Sequence, residues 1–110
     1  MLDLRLYMAQ RISALVMVPL VIVHIALMIY AVQGGLSSAE ILGRTRGSWL
    51  WFIFYGTFVV AVAVHGAIGV RTVLHEWVRL SGFALTLTTL LIGFALVSLG
   101  AHAVWAVTFA

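Results

Sequence analysis

The chain contains no cysteine and no lysine, one proline, and only three acidic residues in 110 positions. Without cysteine there is no disulfide, no thiolate-ligated iron–sulfur cluster, no thiol nucleophile and no covalent c-type haem attachment. Charged residues make up 8% of the chain and hydrophobic ones 65%, where a soluble domain has about a quarter and about a half. Too few charges are present to cover a water-facing surface, and the mean hydropathy of +1.21 agrees. The net charge of +3 and a pI near 10.2 invite a nucleic-acid reading. That reading fails, because the six arginines stand singly between apolar blocks rather than clustered on one face. The partner these residues imply is membrane lipid, and the length suits one membrane-embedded unit over residues 1–110.

Three long apolar runs are present. Ile12 to Val32 is interrupted only by Ser13 and His24, Trp49 to Val70 holds His65, and Phe83 to about Val107 holds His102. A hydrocarbon core of roughly 30 Å takes about 20 residues at 1.5 Å rise each, and a spanning backbone must satisfy its own hydrogen bonds. The expectation is therefore an all-α integral membrane protein, three transmembrane helices in an up-down-up bundle over about 12–32, 49–74 and 83–107. The first run is longer than a signal-peptide core and no small-x-small pattern follows Tyr30, so it reads as a retained span. Pro19 inside it removes one backbone bond and predicts a kink. Gln33-Gly34-Gly35 ends that helix, and Ser37-Ser38-Ala39-Glu40 has the pattern of a cap on a short interfacial helix. The second connector, around Thr72 to Gly82, carries Glu76 and Arg79.

Arginines near the helix ends set the orientation. Arg5, Arg11, Arg71 and Arg79 lie on one side and Arg44 and Arg46 on the other, which predicts a cytoplasmic N-terminus and second connector. Trp49, Trp51 and Tyr55 then form the outer aromatic belt, with Tyr7 and Trp77 in the inner one.

Ionisable residues at membrane depth are the first candidates for function. His65 lies about 24 Å along its helix from Trp49, past the midplane towards the N-terminal side of the membrane. Gly66 flanks it and Gly69 stands one turn on. Two readings are open: glycines that let a flat macrocycle reach an imidazole ligand, as in bis-His electron-transfer haem, or a helix-packing seam bridged by a histidine. His24, about 18 Å into the first span, is the second candidate ligand. His102 reads as an interfacial hydrogen-bonder and His75 as solvated. Arg11 and Ser13 sit where the first span begins and Arg71 where the second ends. These arginines can pair with a propionate or a quinone carbonyl, or simply snorkel to headgroups. Trp77 can donate an indole N–H to a quinone oxygen and Glu76 can relay a proton, although interfacial tryptophan is also common without function.

Two blocks, in order, resemble the cytochrome b membrane-anchor subunits of succinate:quinone oxidoreductase (complex II). Gln10-Arg11-Ile12-Ser13-Ala14 with Val18-Pro19-Leu20 is similar to the start of the first helix of the smaller anchor. His65-Gly66-Ala67-Ile68-Gly69 with Val73-Leu74-His75-Glu76-Trp77-Val78 is similar to its His-x-x-x-Gly…Val-Ile/Leu-x-Asp-Tyr-Val block. The resemblance spans essentially the whole chain and favours the smaller anchor, although Arg71 after Gly69 matches the Gly-x-Arg of the larger one. It implies haem b with His65 as axial ligand, Arg11 and Arg71 near the propionates, and a quinone site using Trp77, Arg11, Ser13 and Glu76. Trp77 replaces a tyrosine, and an indole donates but does not accept.

The implied partners are a second anchor subunit, an iron–sulfur subunit and a flavoprotein, in a bacterial inner membrane. The chain does no chemistry on succinate alone, having neither cysteine for a cluster nor a flavin-binding fold; it anchors the catalytic subunits and helps to form the site where quinone is reduced. The competing readings are a haem-free structural anchor and a small transporter subunit in which His24, His65 and Arg71 line a polar path.

Overall fold

The computed structural model describes residues 4–35 and 37–109, with the backbone but not the side chain of Ser38. All regular structure among these residues is helical: α1 (Leu4–Gln33), α2 (Ser38–Thr45), α3 (Trp49–Glu76) and α4 (Gly82–Thr108). Helices α1, α3 and α4 are each long and apolar enough to cross a membrane. At 1.5 Å per residue, the 30 residues of α1 reach about 45 Å, close to the 48 Å long axis of the molecule. The helix extends eight residues before the apolar run and passes through Pro19 without ending, so Arg5 and Arg11 sit on its first turns rather than in a preceding loop.

Helix α3 is the centre of the bundle, packing against both α1 and α4. The largest share of the buried apolar residues lies on it: Ala61, Ala63, Ala67 and Ile68. These are mostly small, as expected where lipid removes the hydrophobic drive between helices and contact depends on close backbone approach. The α3–α4 seam shows how close. A β-carbon added at Gly93 would lie 3.6 Å from Ala67 Cβ, and one at Gly66 3.3 Å from Leu96 Cδ1. Meanwhile Leu15, Leu50 and Phe94 are more than 70% exposed in the isolated chain. That inversion of the soluble pattern leaves their apolar surface for lipid and for other subunits.

Hydroxyls within the spans return to the backbone of their own helix: Thr72 donates to the Ile68 carbonyl, Thr88 to Ala84 and Thr89 to Leu85. This satisfies polar groups where no water is at hand. The short α2 begins as its sequence predicts, with Ser37 Oγ accepting the Glu40 N–H at 3.1 Å. It then folds onto the end of α4. Thr45, 5% exposed, donates its hydroxyl to the Val107 carbonyl at 2.7 Å, and the Gly47 N–H donates to the Thr108 carbonyl. Two carbonyls left open at the C-terminus of α4 are closed in this way.

The α3–α4 connector is shorter than the sequence suggests, because α3 continues to Glu76. Past its C-cap at Trp77 the chain turns back on the helix end: the Leu80 N–H donates to the Leu74 carbonyl at 3.1 Å, and Arg79 takes the left-handed conformation at φ 63°. His75 is half-buried, with Nδ1 3.1 Å from the Leu80 carbonyl. The solvated position expected for it gives way to a structural one, since the backward turn brings an unpaired carbonyl to its ring.

Candidate functional site

His65 sits on the α1-facing side of α3, half-buried, and its Nδ1 is buried without a hydrogen-bond partner. It lines a cavity of about 530 Å³ with Gln10, Arg11, Ala14, Leu15 and Val18 of α1. Arg11 is exposed on the same cavity; its Nη1 donates to the Tyr7 hydroxyl at 3.4 Å and its guanidinium lies 5.6 Å over the Tyr7 ring. An imidazole and a guanidinium thus line one cavity near the same end of the bundle, because α1 and α3 run antiparallel. The register is marked by Gln10, whose Nε2 would lie 3.7 Å from a β-carbon at Gly69.

Gln10 is the residue that sequence reasoning passed over. Its Oε1 is buried and unpartnered like the His65 nitrogen, and it lines the same cavity. The sequence signals it in two ways: as a polar amide two positions before the first apolar run, and as the first residue of the Gln10-Arg11 block.

A β-carbon added at Gly66 would lie 3.3 Å from Leu96 of α4, and one at Gly69 3.7 Å from Gln10 of α1, so the two glycines face different helices. The reason is angular: one residue turns the helix by about 100°, which carries Gly66 from the α1 side to the α4 side.

The residues expected around a quinone are not gathered into one pocket within this chain. Ser13 is 6% exposed and donates to the Gln10 carbonyl at 3.0 Å. It lines a different groove, about 660 Å³, with Ala61 and Val64. Two residues of separation turn it about 200° from Arg11. Glu76 and Trp77 stand at the exposed end of α3, Trp77 at 82% exposure. Arg71 is half-buried on α3 and forms no hydrogen bond or ion pair among the described residues. Arg11, Arg71, Glu76 and Trp77 nonetheless share one end of the bundle, the end where α1 begins and α3 finishes.

His24 is also half-buried with an unpartnered Nδ1, but it lies on another level. Its ring meets Tyr55 and Phe58 edge-on at 6.0 and 5.5 Å between centroids. Phe58 is seven residues before His65, about 10 Å along α3, so the two imidazoles cannot serve one iron. His102 is exposed on α4. No cluster of three or more His, Cys, Asp or Glu side chains occurs among the described residues.

The comparisons with known proteins bear on this geometry. Neither the comparison with curated proteins nor that with solved structures finds a match. The profile of the succinate dehydrogenase/fumarate reductase transmembrane subunit matches residues 2–78. That stretch runs from the start of α1 to just past the end of α3 and contains every candidate site residue named above except His102. With the greater part of the chain covered, and three helices able to span a membrane, the protein belongs to the succinate dehydrogenase/fumarate reductase transmembrane-subunit family.

Proposed function

We propose that this subunit carries haem b, with His65 as an axial ligand and Arg11 beside the propionates, and helps to form the site where quinone exchanges electrons with the complex. The observation that carries the reading is the His65 cavity. It presents a buried, unpartnered imidazole nitrogen inside an apolar span, with a guanidinium on the same cavity. A buried polar atom without a partner is rare and calls for an explanation, and the imidazole suits iron while the guanidinium suits a carboxylate. Bound here, the haem supplies a one-electron store. The chain's own residues supply position: α3 holds the imidazole in the hydrocarbon region, and α1 holds the cation on the same cavity.

His24 stands too far along the bundle to be the second ligand of the same iron, so the opposite imidazole is assigned to a second anchor subunit. His24 remains a candidate ligand for a separate group. On the quinone side, Trp77 and Arg11 act as hydrogen-bond donors, with Glu76 as a proton relay and Arg71 as a second cation. Ser13, packed between α1 and α3, plays the smaller part. The iron–sulfur and flavoprotein subunits dock at this end, which the arginine distribution assigns to the cytoplasmic face of a bacterial inner membrane. Glu76-Trp77-Val78 supports the smaller of the two anchors.

The test is the visible spectrum of the purified complex. His65→Ala removes the b-type Soret and α bands under this reading, and unchanged haem content refutes it. A haem-free anchor is the second reading, favoured by the packing of Gly66 and Gly69 against neighbouring helices; it predicts no such bands in the wild type.

A further inference from the structure

At the end of the bundle away from the His65 cavity, three cavities adjoin and share lining residues. The outermost, about 280 Å³, has Glu40 and Arg44 of α2 on its wall with Tyr30 and Gly34 of α1. Ala31, Ile41 and Arg44 are shared with the next, about 380 Å³, whose walls add Leu27 and Met28. Ile41, Thr45, Tyr55 and His24 then lead into a third of about 440 Å³ between α3 and α4. The sequence from outside to inside is a charged chamber followed by two apolar ones.

The charged chamber has an unusual feature. Glu40 and Arg44 are four residues apart on one helix, the spacing at which opposite charges ordinarily pair. Here they form no ion pair with each other; the Arg44 guanidinium lies 5.1 Å over the Tyr30 ring instead. The two charges face one chamber as separate poles. Helix α2 that carries them is pinned to α4 through Thr45 and Gly47, so the poles stand on a fixed element.

We propose that this is a binding site for one phospholipid with an ethanolamine headgroup, its phosphate on Arg44, its ammonium on Glu40 and one acyl chain in the two apolar cavities. The argument is charge complementarity joined to shape. A neutral ligand leaves both poles without a partner, and a purely anionic headgroup satisfies Arg44 while meeting the Glu40 carboxylate with like charge. A zwitterion whose two charges lie a few bonds apart answers both, and a primary ammonium donates hydrogen bonds to a carboxylate where the quaternary ammonium of phosphatidylcholine has no N–H to give. A flexible chain also suits adjoining irregular cavities, and α2 lies between the end of the first apolar run and the start of the second, at headgroup level. This site is independent of the His65 haem and of the quinone assignment, and it is an alternative to a separate group on His24, which lines both apolar cavities.

The experiment takes the purified complex, reconstitutes it in nanodiscs of equal parts phosphatidylethanolamine, phosphatidylglycerol and phosphatidylcholine, strips it with graded detergent and identifies retained lipid by native mass spectrometry. Phosphatidylethanolamine is expected at about threefold over its bulk share, the size of one partly exposed charge pair. Glu40→Gln should return it towards the bulk share and raise phosphatidylglycerol, whereas Arg44→Gln should abolish enrichment of both. Both positions are exposed, so these variants keep the fold. Ala31→Phe, at the neck between the charged and apolar chambers, should lower retention without altering charge. Lipid retained in bulk proportions by the wild type, enrichment that survives both charge substitutions, or quinone recovered in place of phospholipid would each overturn the proposal.

Discussion

Gly100 of α4 lies so close to Val59 of α3 that a β-carbon built on it would stand 2.5 Å from Val59 Cγ1 and 2.9 Å from Cγ2. Real β-carbons do not approach other atoms that closely, so the two helices touch here only because Gly100 has no side chain. With Gly93 two turns earlier against Ala67, this contact sets the spacing of the α3–α4 pair.

Gly100→Ala should therefore weaken the bundle by about 1–3 kcal/mol, the usual range for overpacking, seen as a lower thermal midpoint of the detergent-solubilised complex. Val59→Ala in the same chain should restore most of the loss by removing the two methyls in the way. A neutral Gly100→Ala would show that the helices are not in this contact.

Gly69→Ala behaves differently. Its β-carbon would meet the Gln10 amide at 3.7 Å, an ordinary contact, and alanine favours the helix by about 1 kcal/mol over glycine. Stability should be unchanged or slightly higher, with haem content equal to the wild type. Loss of the Soret band in this variant would mean that the glycine does make room for the macrocycle.

Arg11→Ala and Trp77→Ala should separate electron delivery to quinone from the earlier steps. Quinone-reductase activity should fall by about tenfold for Arg11, whose charge-assisted hydrogen bond is the stronger, and about fivefold for Trp77. Succinate oxidation with an artificial dye should stay near the wild-type rate. Equal loss with both acceptors would point to failed assembly instead.

Thr45→Val keeps the shape of the side chain and removes the hydroxyl that holds the Val107 carbonyl. The expected cost is about 1 kcal/mol, with faster amide exchange over residues 38–45 and at the end of α4, read by mass spectrometry. Protection unchanged in both segments would show that α2 is held by other contacts.

Hydropathy alone is enough to predict three spanning helices, since an unbroken apolar run of about 20 residues satisfies its own backbone in lipid only as a helix, and the Ser37 cap is legible because its hydrogen bond is local. The helix ends were less so. Helix α1 begins eight residues before its apolar run, and α3 runs on to Glu76, because helix continues into the interface where hydropathy no longer reports it. His75 was misread for a similar reason: its partner, the Leu80 carbonyl, is brought back by a left-handed turn at Arg79, and no propensity of arginine announces that conformation.

What the residues determine by themselves is membrane residence, the number of spans, the absence of thiolate ligands from this stretch, and the order of the two blocks that mark the family. Each depends on composition or on neighbours along one helix. Tertiary structure decided which side chains meet: His65 with Arg11 and Gln10, Ser13 on a separate groove, His24 on another level, Gly66 towards α4. A helix turns its side chains by 100° per residue, so meetings across helices depend on the rotation and register of two rods, and these were set by close contacts such as Gly100 against Val59 that no single stretch of sequence contains.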